Sequence, residues 1–92
     1  MFYYIAGKLV HKTDTFAVLD AGGVAYQIFS TTSSLQSLGE IGDQAKLYTY
    51  MNLKSASDIC VLYGFSTLEE RNIFEMILGV SGVGAKTAAS LL

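Results

Sequence analysis

The residues of this chain best suited to binding a ligand lie in a glycine-rich turn formed by Gly82, Val83 and Gly84. An apolar helical pattern precedes this turn and a second helical pattern follows it. Two glycines with one residue between them allow a tight turn whose backbone N–H groups point outward, next to the positive end of the following helix dipole. Such a turn binds anions, and Lys86 and Thr87 would add a cation and a hydroxyl donor. A nucleic-acid phosphate is the anion that a non-enzyme most commonly holds.

The glycine turn has two other interpretations. It could be a helix C-cap followed directly by another helix; against this, Lys86 places a cation where it opposes the helix dipole unless an anion is bound. It could also be a nucleotide-binding loop, because residues 79–87 read GVSGVGAKT, close to G-x-x-x-x-G-K-T. However, Ala85 separates the glycine from the lysine, and a helix rather than a strand precedes the loop. The glycines also have the wrong order for a dinucleotide fingerprint, so an ATPase is disfavoured.

Other residues give weaker indications of chemistry. His11, the only histidine, lies near a predicted strand end without a serine or carboxylate partner, which indicates a solvated rim residue. Cys60, the only cysteine, excludes an intrachain disulfide and a cysteine-based metal site. Its apolar strand pattern predicts a buried structural thiol. The six tyrosines and five phenylalanines could stack on bases, but most are expected in the core, and none is assigned this role. No cofactor or metal is expected.

The composition restricts how this chain could bind nucleic acid. A net charge of −2 argues against coating of nucleic acid by bulk electrostatics, so any such binding must be local. No apolar run approaches the ~20 residues that span a bilayer, and no signal peptide is evident. We therefore expect a cytoplasmic protein with no membrane partner. The hydrophobic content of 51% predicts burial against another subunit or a downstream domain.

Strand periodicity predominates over residues 1–65. The predicted strands cover residues 2–10, 15–20, 24–29, 46–53 and 59–65. Gly7 predicts a bulge or sharp bend in the first strand, and Gly22 with Gly23 predicts a hairpin turn. Leu35 and Leu38 predict a helical turn between the third and fourth strands. Five short strands, with a bent first strand shared by two sheets, predict a small closed barrel of the OB type.

The period changes from two to about 3.6 at Ser66. Ser66 and Glu69 fit a capping box, and Gly79 weakens the end of the helix that follows. The predicted apolar stripe consists of Ile73, Met76, Ile77 and Val80, with Phe74 and Leu78 beside it. The sequence thus predicts a mainly β then α chain, with a barrel at 1–65 and two helices joined by the glycine turn at 66–92. The helical pattern reaches Leu92 without a cap, so we expect this second domain to continue in a longer protein.

Several motifs occur in collinear order along the whole chain. They are M-x-x-Y-I-x-G-K-L at residues 1–9, GGVAY at 22–26, LYT at 47–49, LYGF at 62–65, ER at 70–71 and VSGVGAKTA at 80–88. In this combination they resemble the RuvA family, the DNA-binding subunits of the bacterial Holliday-junction branch-migration complex. The resemblance implies an OB-like barrel followed by paired helix-hairpin-helix motifs, the first of them at residues 66–92. It also implies a non-catalytic role in recombination, DNA repair and the SOS response to DNA damage.

The resemblance further implies residue roles and partners. Gly82, Val83, Gly84 and Lys86, with Thr87, would be phosphate contacts of the first hairpin, which grips DNA without reading its bases. Family members carry an acidic pin that separates strands, and Asp58, in a predicted hairpin tip, is the candidate here. The implied partners are four-way junction DNA, three further copies in a homotetramer (or an octamer on DNA), the ATPase RuvB and the nuclease RuvC. Because RuvB is recruited through a domain beyond Leu92, we expect these residues alone not to stimulate it.

A second hypothesis belongs to another class of function. The chain could be an oligomerising barrel module that scaffolds a complex without touching nucleic acid. The acidic composition and the lack of a basic stripe favour this hypothesis. The glycine turn and the family resemblance favour sequence-independent binding of junction DNA.

Overall fold

The computed structural model describes residues 3–54, 59–79 and 84–92, and within these ranges the chain forms five strands and three helices. They are, in order, β1 (Tyr4–Lys12), β2 (Phe16–Ala21), β3 (Val24–Ser30), α1 (Thr32–Gln36), β4 (Gln44–Lys54), β5 (Ile59–Phe65), α2 (Leu68–Leu78) and α3 (Ala85–Ser90). The strands close into a barrel in the order β1-β2-β3-β5-β4. Neighbouring strands are antiparallel except β3 and β5, which are parallel. The predicted OB-like barrel followed by helices is confirmed.

The first strand closes the barrel by serving two neighbours. Residues 4–8 pair with β4, and residues 8–12 pair with β2. A register shift between Leu9 and His11 marks the bulge that lets the strand change partners. The predicted bent strand is therefore confirmed, but the bulge is not at Gly7. Gly7 instead allows close approach of β2, because a Cβ there would collide with the carbonyl group of Asp20.

Alternate residues of the strands fill the barrel. Side chains at every second position point to the same face of a strand, so one set from each strand meets inside. The buried set is Ile5, Leu9, Ala17, Leu19, Ile28 and Leu47, joined by Leu35 and Leu38 from the α1 region. The predicted helical turn with its two buried leucines is thus confirmed. So is the hairpin turn, where Gly22 and Gly23 have φ of 68° and 99°.

Helix α2 begins one residue later than the sequence predicts. Its N-cap is Thr67, whose Oγ1 accepts a hydrogen bond from the backbone N–H of Glu70 at 3.2 Å. Ser66 is not the cap because it has other partners: its backbone N–H donates to Ser34 Oγ, and its hydroxyl donates to Glu70 Oε1. These bonds connect α1, the end of β5 and α2. The predicted capping box of Ser66 and Glu69 is therefore wrong by one position.

Replacing Thr67 by alanine should lower the free energy of unfolding by about 1 kcal/mol, since one N–H at the start of α2 loses its partner. Thr67→Ser should retain most of the stability. Denaturant titration measures both changes. Thr32→Ala is the control, because Thr32 is exposed and lies one residue after the cap of α1. An equal loss of stability in Thr67→Ala and Thr32→Ala would contradict the assignment of the cap.

The buried face of α2 differs from the predicted stripe. Phe74 is fully buried, whereas Ile73 is 38% exposed and Met76 is 74% exposed. Ile77 and Leu78 are half-buried and pack against the same cluster as Phe74. The stripe is wrong for Ile73 and Met76 because α2 rests on a few barrel aromatics, which cover only one narrow line of the helix. Val80 lies outside the described residues.

Cys60 is exposed, so the predicted buried thiol is wrong. The start of β5 pairs with β4, but the pairing of β5 with β3 begins only at Leu62. Cys60 thus lies on the part of β5 that precedes barrel closure. None of the helices in the described part of the chain has the length and apolar content needed to span a bilayer.

Candidate nucleic-acid interface

The predicted site residues are only partly within the described ranges. Gly82, Val83 and the candidate pin Asp58 lie outside them. Gly84 is exposed and immediately precedes α3, and Lys86 and Thr87 belong to the first turn of that helix. The structure therefore brings Gly84, Lys86 and Thr87 together at the start of α3.

The helices on either side of the glycine turn have defined ends. Helix α2 ends with Gly79 as its C-cap, and the Gly79 N–H donates to the Met76 carbonyl at 3.1 Å. This agrees with the predicted end of the helix. The Gly84 carbonyl accepts from the Ala88 N–H at 2.9 Å, so Gly84 is at the N-cap position of α3. The turn residues therefore lie between two defined helix ends.

Helices α2 and α3 are attached to the barrel by one apolar cluster. We call it the anchor cluster, and its buried members are Tyr63, Phe65, Phe74, Ala85 and Ala88. The Phe74 ring lies 4.9 Å from the Phe65 ring and 5.2 Å from the Tyr63 ring, between centroids. Ala85 and Ala88 are three residues apart, so both lie on one face of α3, where small side chains permit close packing.

Tyr63, which belongs to β5 of the barrel, is the buried member of this cluster that carries a polar group. Burial raises the pKa of its phenol above the ordinary value of 10.0. Desolvation disfavours the phenolate, so the ring remains neutral at physiological pH. A neutral ring is compatible with packing against Phe74, and the anchor cluster is therefore free of charge.

Arg71 fixes the orientation of α2 on the barrel. Its Nε donates to the Thr49 carbonyl of β4 at 3.2 Å, and its Nη1 contacts Glu75 Oε2 at 2.6 Å. Its guanidinium also lies 5.4 Å from the centre of the Tyr50 ring. Sequence reasoning identified Arg71 only as part of a motif, because its partners on β4 are distant in sequence. This cation is occupied by contacts within the chain, so we assign it to positioning of the helix.

Among the described residues, no packing contact requires glycine at position 84. A Cβ added at this position would meet nothing within 4 Å among the atoms of the described residues. Its φ is also outside the left-handed range, unlike that of four glycines in other turns. Gly64 shows the contrast, because a Cβ there would lie 2.6 Å from Ile28 Cγ2. Glycine is well tolerated at a helix N-cap, and the open space at this position also lets a ligand approach the backbone closely.

The possible metal ligands and His11 are the remaining candidates from the sequence. Within the described ranges, no three His, Cys, Asp or Glu side chains are grouped closely enough to hold a metal ion. His11 is exposed at the end of β1, with its ring 5.9 Å from that of Phe16, in agreement with the predicted rim position. The arrangement at the start of α3 can bind an anion through backbone N–H groups and the helix dipole.

A closed five-stranded barrel of this kind, followed by helices, places the chain in the OB-like class of folds, which includes proteins that bind oligonucleotides or oligosaccharides. Within this class, residues 1–64 match the family described as RuvA N terminal domain. The chain therefore belongs to the RuvA family.

Similar full-length proteins support this assignment. The chain is 46% identical over 92 residues to the "Holliday junction branch migration complex subunit RuvA" of Acetivibrio thermocellus, covering 100% of this chain and 45% of that protein. It is 44% identical to the protein of the same name from Ruminiclostridium cellulolyticum and 39% identical to that from Prosthecochloris aestuarii, again over 100% of this chain and 45% of each relative. The chain spans about half the length of the curated relatives that it matches.

Proposed function

We propose that this chain binds four-way junction DNA as part of a non-catalytic subunit of a Holliday junction branch migration complex. The names of its relatives support this proposal, since each is called a subunit of that complex. The observation that carries it on this chain is the exposed Gly84 at the start of α3, a helix that the anchor cluster holds on the barrel; no atom of the described residues fills the space beside its Cα. Residues 1–65 form the barrel domain, and residues 66–92 form the first helix-hairpin-helix motif.

The proposed binding uses the DNA backbone. The amides of Gly82, Val83 and Gly84 donate to phosphate oxygens, and the α3 dipole adds a favourable potential. Lys86 and Thr87 supply a cation and a hydroxyl at the same place. Contacts to phosphate carry no sequence information, so the subunit accepts a junction of any sequence. Because the net charge is −2, this local grip has to replace bulk electrostatic attraction.

The proposed assembly follows from the family. The full-length protein forms a homotetramer, or an octamer on DNA, and recruits the ATPase RuvB through a further domain. RuvB supplies the motor for branch migration, and RuvC is a further partner. Asp58 acts as the acidic pin near the centre of the junction. The assembly works in the cytoplasm, in recombination and in the repair of damaged DNA.

Gly84→Ala should weaken junction binding by about 10- to 100-fold, since the new methyl group separates a backbone donor from its phosphate; charge-assisted hydrogen bonds contribute roughly 1.5–3 kcal/mol. Folding should lose at most about 1 kcal/mol, because glycine is preferred to alanine at the N-cap of a helix. Lys86→Glu should weaken binding by a similar factor. Gel shifts with four-way junction, duplex and single-stranded DNA at a fixed low salt concentration measure these effects.

Lys12→Glu is the charge-matched control for Lys86→Glu. In the parent chain, the Lys12 ammonium donates to the Gly39 carbonyl, on another part of the barrel. Lys12→Glu should change junction affinity little. If Gly84→Ala and Lys86→Glu bind the junction as tightly as the parent chain, the glycine turn is not the phosphate site.

The scaffold hypothesis is the second candidate function. Exposed apolar side chains favour it, notably Ile41 at 60% and Met76 at 74% exposure. Such residues can bury surface against another protein. Negligible and equal binding of all three DNAs by the full-length protein would favour the scaffold and overturn the junction-binding proposal.

A further inference from the structure

A group of three tyrosines and one lysine lies on the outer face of the β1–β4 ribbon. We call it the tyrosine patch, and it consists of Tyr3, Tyr4, Lys46 and Tyr48. Tyr4 is paired directly with Tyr48, and Lys46 is paired with Ala6 on the next outward rung. The inward residues between them, Ile5 and Leu47, belong to the barrel core. The strand register therefore fixes Tyr4, Lys46 and Tyr48 on the outer surface, and Tyr3, just before β1, lies beside them and is 58% exposed.

The rings of the patch form a compact and accessible set. Tyr3 and Tyr4 are 58% and 50% exposed, and Tyr48 is half-buried. Ring centroids lie 6.1 Å apart for Tyr3 and Tyr4, 5.8 Å for Tyr3 and Tyr48, and 6.0 Å for Tyr4 and Tyr48. All three contacts are edge-to-face, so neighbouring rings do not stack on one another. Exposed aromatic surface is thus left for a planar ligand.

Lys46 places a positive charge within the patch. Its Nζ lies 5.0 Å from the Tyr4 ring centroid and 5.1 Å from the Tyr48 ring centroid. In the parts of the chain that the structure describes, no carboxylate forms an ion pair with this ammonium. Lys8 lies exposed on the same face of β1, opposite Gln44. The patch is therefore locally cationic on a chain whose net charge is −2.

The nearest carboxylates along these strands belong to turns. Asp20 is opposite Lys8 on β2, and its Oδ1 accepts from the Gly23 N–H at 2.8 Å. Asp43 precedes β4, and its Oδ2 accepts from the Glu40 N–H at 3.1 Å. Both groups lie toward the Lys8 end of the ribbon, away from Tyr4 and Tyr48. An anionic ligand on the patch therefore meets Lys46, whereas Lys8 at the far end of the ribbon has Asp20 opposite it on β2.

We propose that the tyrosine patch binds single-stranded DNA by stacking unpaired bases on its rings, while Lys46 contacts an adjoining phosphate. Aromatic side chains combined with cations are how proteins bind single strands without sequence preference. Bases in a duplex are already stacked on one another, so only unpaired bases present a free face. OB folds more commonly bind oligonucleotides on strands 2 and 3, whereas the patch lies on β1 and β4. The inference goes beyond the proposed junction binding and does not depend on the glycine turn.

Titration with a fluorescein-labelled oligothymidine at low salt tests this site through anisotropy. Tyr4→Ala and Tyr48→Ala should each weaken binding about 5- to 100-fold, the range for loss of one stacked base. Lys46→Gln should weaken binding and reduce the salt dependence by about one released counterion. Tyr4→Phe and Tyr48→Phe should retain binding, because phenylalanine also stacks. With unlabelled DNA, tyrosine emission should be quenched in the parent chain, which contains no tryptophan.

Controls separate the patch from general charge effects and from protein association. Lys12→Glu should leave oligothymidine binding within about twofold of the parent, since Lys12 donates to the Gly39 carbonyl elsewhere on the barrel. A thermal melt confirms that each variant is folded. The proposal is overturned if the chain does not bind oligothymidine, or if folded Tyr4→Ala and Lys46→Gln bind as well as the parent. It is also overturned if these variants change only the sedimentation coefficient, which would assign the patch to contacts between protein chains. Junction binding can fail or succeed independently, because its variants lie in a different element.

Discussion

Phe74→Ala should lower the free energy of unfolding by about 3–5 kcal/mol and abolish junction binding. Truncating a fully buried phenylalanine removes its packing and leaves a cavity. Phe74 is 0% exposed and contacts the rings of Tyr50, Tyr63 and Phe65. Because typical domains are stable by only 5–15 kcal/mol, a loss of this size is a large share of the total. The helices next to the glycine turn would lose their main attachment to the barrel.

Denaturant unfolding, with junction gel shifts on the same samples, measures this prediction. Ile73→Ala is the matched control, since Ile73 is the neighbouring residue on α2 and is 38% exposed. It should cost less than about 1 kcal/mol, in line with partly exposed surface positions. Phe74→Leu should lie between the control and Phe74→Ala, because leucine retains part of the buried volume. If Ile73→Ala proves as costly as Phe74→Ala, the observed orientation of α2 on the barrel is incorrect.

Gly7→Ala should destabilise the barrel by more than about 3 kcal/mol, at or above the upper end for overpacked cores. A Cβ at this position would lie 2.7 Å from the carbonyl carbon of Asp20 and 3.1 Å from the backbone nitrogen of Ala21. These are backbone atoms of the paired strand, so no side chain can rotate away to relieve the overlap. Strands β1 and β2 would have to separate at the rung between Lys8 and Asp20.

Comparison with Gly84→Ala isolates this steric effect, because both variants add the same methyl group. The added atom collides with backbone at residue 7, whereas at residue 84 it meets no atom of the described residues within 4 Å. Thermal or denaturant unfolding should therefore show a severe loss for Gly7→Ala and only a small loss, from the weaker N-cap, for Gly84→Ala. Similar stability of the two variants would show that β1 and β2 are less closely packed than described.

Much of the barrel could be predicted from local sequence. Alternation of apolar residues gives each strand, and the Gly22-Gly23 pair gives a hairpin turn, because both signals arise within a few residues. The role of Gly7 could not be predicted in the same way. It depends on which residue of β2 lies opposite, and register between strands is a property of the closed barrel.

For the helices too, local sequence predicted the element but not its contacts with the rest of the chain. The amphipathic pattern of α2 predicted a helix, but the line of contact passes through Phe74 and not through Met76. The position of a helix on a barrel depends on the barrel surface that it contacts. Here that surface includes Tyr63 and Phe65, which contact Phe74. The N-cap of α2 is Thr67 and not the predicted Ser66 for a similar reason. Ser66 forms hydrogen bonds with Ser34, a residue distant in sequence.

The candidate sites differ in how far sequence could identify them. Gly82, Val83 and Gly84 are adjacent, so their spacing alone predicts an anion-binding turn, and this role remains a prediction for all three residues. The tyrosine patch has no comparable signature. Tyr4 and Tyr48 belong to strands that are distant along the chain, and only their pairing in the barrel brings the rings together.

The shared role of β1 has a consequence for the order in which this protein is made. As the chain leaves the ribosome, β1 can pair with β2 at once, but its other half must wait until β4 has been synthesised. Contacts between distant segments form slowly because loop closure costs entropy. The aromatic surface that receives Phe74 belongs to β4 and β5, so it exists only after those strands are in place. The two helices beside the glycine turn are therefore expected to be the last part of the chain to dock during synthesis.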